Sequence, residues 1–285
     1  MPAWLGRENP QVAVTLGCMR SELIGFGTLV QAGKNDPDIY RTATLFALEV
    51  GYRTLDTALR YNNEVQVGQA IAQSDVPRED ITVTTKIPGR FHGYHEAKTS
   101  IIRSLIDLNL PYVDVALIHW PLPRLHKYVD TWRAMIEMRD AGLIRTIGVS
   151  NFLPEHLQRL ADETGEMPAI NQVEMHPYFG QAELRAFHAE HGIQTQAWSP
   201  LGRTSDMIQD PVLVDVAKKH DATPAEVVLA WHLHHGSVPL PASSDPERQR
   251  ENLWFEVTLD DEDIAAIDGL ERGRIFYDPA VHEEF

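Results

Sequence analysis

The sequence is poor in cysteine, in basic charge and in long apolar runs. The single Cys18 excludes an intrachain disulfide framework and a cysteine-based metal cluster, and it fits a reducing compartment. With 25 basic and 41 acidic residues the formal net charge is -16, which argues against binding to nucleic acid or to anionic membranes. No apolar stretch approaches the ~18 residues of a membrane span, and residues 1–10 lack the apolar segment of a secretion signal. We therefore expect a cytoplasmic protein.

What the chain does contain is a regular alternation of strand and helix patterns, with no low-complexity linker. This alternation predicts β-α-β units, a parallel sheet and a single domain over residues 1–285. An opening hairpin and first strand are predicted over 11–29, and further strands over 53–56, 81–86, 113–119, 146–150, 169–174, 194–198 and 237–240. Helices are predicted over 37–50, 64–73 with Asn63 as its cap, 94–108, 128–141, 155–164, 181–191, 211–220, 224–234, 245–252 and 260–270.

Two closures of such a sheet are possible: an open doubly wound sheet or an eight-stranded barrel. A dinucleotide-binding G-x-G-x-x-G motif is missing, since Gly25-Phe26-Gly27 continues without the third glycine. Polar or aromatic residues lie at or near the ends of most strands, at Asp56, Lys86, His119, Ser150, Gln172, Trp198 and Ser243. In a barrel these ends converge on the face that carries active sites. The sequence therefore predicts an α/β fold, a (β/α)8 TIM barrel with an N-terminal β-hairpin.

Four of these polar positions suggest proton-transfer chemistry. A buried Asp56 needs a partner, and Lys86 at the end of the next strand supplies one. A cation beside Tyr61 would make that phenol a stronger acid, suited to protonating a carbonyl oxygen during reduction. His119 would donate a hydrogen bond to the same oxygen. The alternative is a structural ion pair, a loop aromatic and a buried histidine, but four such residues at this spacing favour catalysis.

Eight ordered motifs carry a family resemblance: GFGT (25–28), GYRTLDTALRYNNE (51–64), TTK (84–86), LIHWP (117–121), GVSNF (148–152), NQVEMHP (171–177), WSPLG (198–202) and DPERQREN (245–252). In these motifs the chain resembles the aldo-keto reductase family, and specifically its bacterial branch similar to 2,5-diketo-D-gluconate reductases. The resemblance implies a barrel that binds an extended nicotinamide cofactor without a Rossmann motif. It also implies an oxidoreductase that reversibly reduces aldehydes and ketones, with Asp56, Tyr61, Lys86 and His119 as catalytic residues and Tyr61 as proton donor.

The resemblance further implies a set of cofactor-binding positions: Thr28, Ser150, Asn151, Gln172, Trp198, Ser199, Leu201, Ser243, Arg248, Glu251 and Asn252. Within that set, Ser150, Asn151 and Gln172 match the nicotinamide carboxamide site, and Trp198 matches a ring that stacks on the nicotinamide. Ser199 and Leu201 match the pyrophosphate path, and the last four match the adenosine end.

Two departures from the family pattern bear on specificity. Ala242 stands where a lysine usually contacts the 2′-phosphate of NADPH. Arg248 remains for that phosphate, and Asp245 is positioned to accept a hydrogen bond from the 2′-OH of NADH. NADPH is the expected cofactor, with a weakened or dual preference that includes NADH. Leu29 replaces a common tryptophan and reshapes a pocket wall.

The substrate pocket is predicted to include Phe26, Leu29 and Trp120, with core packing as the alternative for Phe26 and Trp120. Arg60 beside Tyr61 is interpreted as a solvated loop charge, with attraction of an acidic substrate as the alternative. The tail over 272–285 is predicted to fold over the pocket mouth through Phe276 and Tyr277. Short loops after His119 and Trp198 suggest an open pocket.

The expected partner is a small carbonyl substrate, and a monomer is expected. A metal site is not predicted, because the cluster of His232, His234 and His235 fits surface or packing roles better. Two other functions stay open: a low-turnover cofactor-binding regulatory protein on the same barrel, and a metal-dependent hydrolase using Asp56, His119 and His176.

Overall fold

The architecture is an eight-stranded parallel sheet whose strands follow chain order. The computed structural model describes residues 23–30, 36, 38–203 and 205–284. Most of the predicted N-terminal hairpin therefore lies outside the described residues. The strands are β1 (Phe26–Gly27), β2 (Thr54–Asp56), β3 (Thr82–Ile87), β4 (Val113–Ile118), β5 (Ile144–Ser150), β6 (Ile170–Glu174), β7 (Gln194–Trp198) and β8 (Val238–Leu240).

The sheet closes into a barrel at β1 and β8. The backbone N–H of Gly25 donates to the carbonyl of Pro239 at 3.0 Å, and that of Gly27 donates to the carbonyl of Pro241 at 2.9 Å. A Cβ on Gly27 would lie 3.1 Å from the carbonyl oxygen of Leu240, so glycine permits the close approach of the two strands. The predicted barrel is confirmed, and the open sheet is excluded.

Ten α-helices in the described part of the chain surround the barrel or extend from it. They are α1 (Ile39–Val50), α2 (Glu64–Gln73), α3 (Tyr94–Leu108), α4 (Tyr128–Asp140), α5 (Pro154–Thr164), α6 (Ala182–Glu190), α7 (Pro211–Lys219), α8 (Pro224–His234), α9 (Pro246–Leu253) and α10 (Asp261–Asp268). The helix α8 begins with a reciprocal capping box between Thr223 and Glu226. None of the helices in the described ranges is long and apolar enough to cross a membrane.

The predicted cap residue of α2 is confirmed in position, but it does not cap the helix with its side chain. Asn63 occupies the position before the helix, but its side chain makes no capping hydrogen bond. Its amide nitrogen instead donates to the carbonyl of Thr28 at 3.1 Å, and its amide oxygen accepts from the hydroxyl of Thr57 at 2.7 Å. Asn63 thus joins the loops that follow β1 and β2, which fixes the rim where the site lies.

The main apolar core lies between the strands and the helices. Phe26 is fully buried there, with its ring 5.5 Å from that of Tyr52. The hydroxyl of Tyr52 donates to the carbonyl of Gln249 in α9, so this pair faces the helical layer. The prediction of Phe26 as a pocket residue is therefore not supported, whereas the alternative of core packing is supported.

The helices α2 and α3 also pack closely against each other. A Cβ on Gly68 in α2 would lie 2.2 Å from the carbonyl oxygen of Leu108 in α3.

Candidate active site

The centre of the site is a buried ion pair at the ends of two adjacent strands. Nζ of Lys86 lies 2.6 Å from Oδ2 of Asp56, and both side chains are buried. Oδ1 of the same carboxylate accepts a hydrogen bond from Nε2 of Gln172 at 2.7 Å. Both carboxylate oxygens are therefore satisfied, as a buried charge requires. The predicted pairing of Asp56 with Lys86 is confirmed.

Tyr61 lies against this pair, on a single 3-10 turn over Leu59–Tyr61 that follows β2. Nζ of Lys86 donates to the hydroxyl oxygen of Tyr61 at 3.3 Å and to the carbonyl of Thr57 at 3.1 Å. Burial alone would lower the pKa of Lys86, but Asp56 and Tyr61 raise it above its ordinary value. The ammonium group therefore remains charged beside the phenol.

The predicted net acidification of Tyr61 is wrong for this arrangement. Burial raises the pKa of the Tyr61 phenol and is the largest single influence on it, while the charge and the hydrogen bond of Lys86 lower that pKa. The nearby carboxylate of Asp56 opposes Lys86 and also raises the pKa. The sequence indicates the neighbouring cation, but the cost of removing a phenolate from water, together with the charge of nearby carboxylates, outweighs the effect of that cation.

His119, which follows β4, completes the group of four predicted catalytic residues. Its ring centroid lies 5.9 Å from that of Tyr61, at an interplanar angle of 75°. The amide nitrogen of Asn151 donates to the His119 carbonyl at 3.1 Å and fixes its backbone. The structure thus brings Asp56, Tyr61, Lys86 and His119 to one end of the barrel, and their roles remain predictions.

The predicted carboxamide site lies next to the ion pair. The hydroxyl of Ser150 donates to the carbonyl of Gln172 at 2.8 Å, and Nδ2 of Asn151 donates to the Ser150 hydroxyl at 3.0 Å. Nε1 of Trp198 donates to Oδ1 of Asn151 at 2.8 Å. Two side-chain amides, a hydroxyl and a flat ring offer the donors, acceptors and stacking surface that a nicotinamide needs. These residues therefore fit the ring end of that cofactor.

Comparison with known proteins agrees with this geometry. Residues 23–272 match the sequence profile described as the aldo/keto reductase family. The chain is 53% identical to 2,5-diketo-D-gluconic acid reductase B of Corynebacterium sp. (strain SHS752001), over 85% of this chain and 88% of that protein. The chain belongs to the aldo/keto reductase family.

Two further relatives of this reductase are informative. Methylglyoxal reductase DkgA of Escherichia coli (strain K12) is 44% identical over 82% of this chain and 85% of its own. The crystal structure of a Gox0644 variant in complex with NADPH superposes with a TM-score of 0.85 at 39% identity, covering 92% of this chain and 94% of that one. Family membership makes the chain an NAD(P)H-dependent oxidoreductase that acts on small carbonyl compounds, and the alternative of a regulatory protein is not supported.

The remaining predicted cofactor residues of the reductase fall into three places. Thr28 lies under the ion pair, where its hydroxyl donates to the carbonyl of Asp56 at 3.0 Å. Ser199 and Leu201 follow β7, and Ser199 has a positive φ of 50°. The predicted adenosine-end residues lie at the loop before α9 and on that helix: Ser243, Arg248, Glu251 and Asn252. Arg248 and Glu251 are exposed there, whereas Asn252 is buried.

The C-terminal tail of the reductase crosses the mouth of the site. The ring of Phe276 lies 5.2 Å from that of Trp198, and the ring of Tyr277 lies 6.2 Å from that of Trp120. The carboxylate of Glu174 anchors the tail by accepting from the backbone N–H of Phe276 at 3.2 Å. The predicted tail contacts are confirmed, and Trp120 lies against the tail, while its place in the substrate pocket stays a prediction. The prediction of an open pocket is wrong because the tail, rather than the short loops, covers the mouth. Leu29 is partly exposed on the rim.

One residue of the site was not predicted from the sequence. Glu284, the last described residue of the tail, places Oε1 2.7 Å from Nδ1 of His119 and 3.5 Å from Nε of Arg60. Its contact with His119 joins segments roughly 165 residues apart, and the tail has no periodic pattern that could have indicated it. Arg60 is thus an ion-pair partner, although its side chain is partly exposed as expected for a loop charge.

The metal-dependent alternative lacks support from the geometry. Asp56 is committed to Lys86, and His176 is fully buried with Nε2 3.1 Å from Oε1 of Glu174. Among the residues that the structure describes, there is no group of three or more side chains arranged to hold a metal ion. His232 packs in the interior, bonded to the hydroxyl of Ser237 at 3.0 Å.

Proposed function

We propose that the chain reduces aldehydes and ketones to alcohols, and carries out the reverse reaction, with Tyr61 as the general acid. The proposal rests mainly on the position of Nζ of Lys86, which lies within hydrogen-bond distance of both the Asp56 carboxylate and the Tyr61 hydroxyl. A bound nicotinamide cofactor supplies the hydride. The residues of the chain orient the carbonyl and move the proton.

The polarity of the site supports proton donation during reduction. Burial raises the pKa of Tyr61, so the phenol retains its proton near neutral pH. As negative charge develops on the substrate oxygen, that proton moves to it and a phenolate forms. Lys86, 3.3 Å away, stabilises this phenolate, and Asp56 holds Lys86 in place. His119 serves as a second donor to the same oxygen.

The proposed cofactor is NADPH, with NADH as a usable second cofactor. A Gox0644 variant, 39% identical to this chain, binds NADPH. Arg248 is exposed at the first turns of α9, where its guanidinium is available to a 2′-phosphate. Ala242 removes one expected cation, which weakens the preference. The carboxylate of Asp245 already caps α9 by accepting from the backbone N–H groups of Glu247 and Arg248, which leaves it less suited to a ribose hydroxyl.

We propose further that the chain acts as a cytoplasmic monomer with one domain over residues 1–285, and that nucleic acid is not a partner. The single Cys18 supports the reducing compartment, and the net charge of -16 supports the absence of nucleic-acid binding. Light scattering of the purified protein tests the monomer, which a dimer mass would contradict.

Replacing Tyr61 by Phe tests the proposed function. Turnover of an aldehyde should fall by roughly 10²–10⁴-fold, because the proton donor is lost while its ring remains. Binding of NADPH, followed by its fluorescence, should stay intact. The matched control is Tyr112→Phe, since the ring of Tyr112 packs under Arg78 and Arg145 away from the site. Near-normal turnover of Tyr61→Phe would refute the assignment.

A further inference from the structure

The carboxylate of Glu284 is held inside the site by three groups from different parts of the barrel. Its Oε2 accepts from the backbone N–H of Gly89 at 2.9 Å, while Oε1 contacts His119 and Arg60 at 2.7 and 3.5 Å. Gly89 begins the turn after β3, the strand that carries Lys86. A Cβ at Gly89 would lie 2.5 Å from the backbone oxygen of Glu284, so a glycine is required for the tail to enter.

The charge of this carboxylate is maintained despite its burial. The side chain of Glu284 is only 2% exposed. Burial alone would raise its pKa, but His119, the Gly89 N–H and Arg60 hold the pKa below its ordinary value. The carboxylate also lies close enough to Tyr61 to raise the pKa of that phenol. A fixed negative charge therefore lies beside His119 and close to Tyr61, two of the predicted catalytic residues.

We infer that Glu284 determines substrate charge: it disfavours carbonyl compounds that carry a carboxylate and leaves neutral carbonyl compounds as the preferred class. The inference rests on the proposed function. The Gly89 N–H, which could receive a substrate carboxylate, already donates to Glu284, and Nδ1 of His119 and Nε of Arg60 lie 2.7 and 3.5 Å from the other oxygen of that carboxylate. A second carboxylate within a few ångströms would meet a like charge in a site screened from water.

The matched exposed residue is Glu283, the adjacent carboxylate of the tail. It pairs with Arg124 at 3.2 Å on the surface, with 39% of its side chain exposed. Glu284→Gln and Glu283→Gln remove the same formal charge from neighbouring positions. Only the first change removes it from the site, so the pair separates a local effect from a change in overall charge.

The test compares 4-carboxybenzaldehyde with its methyl ester, two aldehydes that differ in charge. The wild type should favour the ester in kcat/KM. In Glu284→Gln the ratio should shift toward the acid by about tenfold or more, mainly through a lower KM for the acid. In Glu283→Gln the ratio should stay at the wild-type value. An unchanged ratio in Glu284→Gln, or an equal gain for both aldehydes, would overturn the inference.

A binding measurement makes the outcome independent of turnover. Benzoate and benzamide are unreactive ligands of similar shape, and tryptophan fluorescence reports their binding without cofactor. Benzoate should bind more tightly to Glu284→Gln than to wild type, with benzamide unchanged; equal benzoate affinity would overturn the inference. A wild type that reduces neither aldehyde would instead refute the proposed function, and the benzoate comparison would still decide the role of Glu284.

Discussion

Three buried histidines should make the fold unusually sensitive to mild acid. Burial lowers the pKa of His92 and of His188 from 6.5 to about 4, and that of His232 to about 3. Both ring nitrogens of His92 lack a hydrogen-bond partner among the described residues. His188 contacts the hydroxyl of Thr195 at 2.8 Å. Each imidazole is therefore neutral in the folded protein at pH values where a free histidine is charged.

The magnitude follows from proton linkage. Above pH 6.5 neither the folded nor the unfolded chain binds these protons, so the histidines do not lower the free energy of unfolding. As the pH falls below 6.5, only the unfolded chain takes the protons up. At pH 5 each histidine lowers the free energy of unfolding by about 2 kcal/mol, or about 6 kcal/mol for His92, His188 and His232 together. This loss of free energy changes little for any histidine pKa below about 5 in the folded state. This loss is comparable with a typical total stability of roughly 5–15 kcal/mol.

Urea unfolding at pH 7, 6 and 5, followed by circular dichroism, measures the effect. Near pH 5 the slope should approach about 4 kcal/mol per pH unit, equivalent to three protons taken up on unfolding. His92→Gln should reduce that slope by about 1.4 kcal/mol per pH unit, whereas replacement of the exposed His95 should not change it. A wild-type slope equivalent to less than one proton would refute the reasoning.

Two further predictions concern packing and cofactor choice. Gly68→Ala should lower the free energy of unfolding by about 1–3 kcal/mol, because its Cβ would lie 2.2 Å from the Leu108 carbonyl oxygen. Urea unfolding measures this change, and an unchanged or higher free energy of unfolding would contradict the packing argument. Arg248→Ala should raise the KM for NADPH by roughly tenfold and leave that for NADH nearly unchanged, as initial rates would show. The control is Arg250→Ala on the same helix as Arg248, which removes an arginine packed over Phe46. Equal changes in KM for both cofactors in Arg248→Ala would refute the role of Arg248.

The fold could be predicted from the sequence because most elements carry their own periodic pattern. The helices α2, α3 and α8 have the predicted bounds, and the other predicted bounds of helices lie within two residues of the observed ones. The convergence of Asp56 and Lys86 was also predictable, since ends of parallel strands meet on one face. These inferences use local pattern and one rule of topology.

The predictions that are wrong or missing depend on contacts between distant segments of the chain. The strand β1 has only two residues, too few for an alternating pattern to indicate which way Phe26 faces. The pKa of Tyr61 depends on the balance between burial, the cation of Lys86 and the nearby carboxylates, which the order of residues does not specify. Glu284 reaches His119 through the path of the tail, and that path is set by anchors such as Glu174 rather than by a repeat in the tail itself.

The closure of the barrel has a consequence for the synthesis of the protein. The strands that close it contact through Gly25 and Pro239, which lie roughly 200 residues apart in the chain. On the ribosome, β1 must therefore wait until nearly the whole chain has emerged before it gains its second neighbour. Throughout that interval both edges of the growing sheet are available to other nascent chains, so chaperone dependence during translation should be greatest for this first strand.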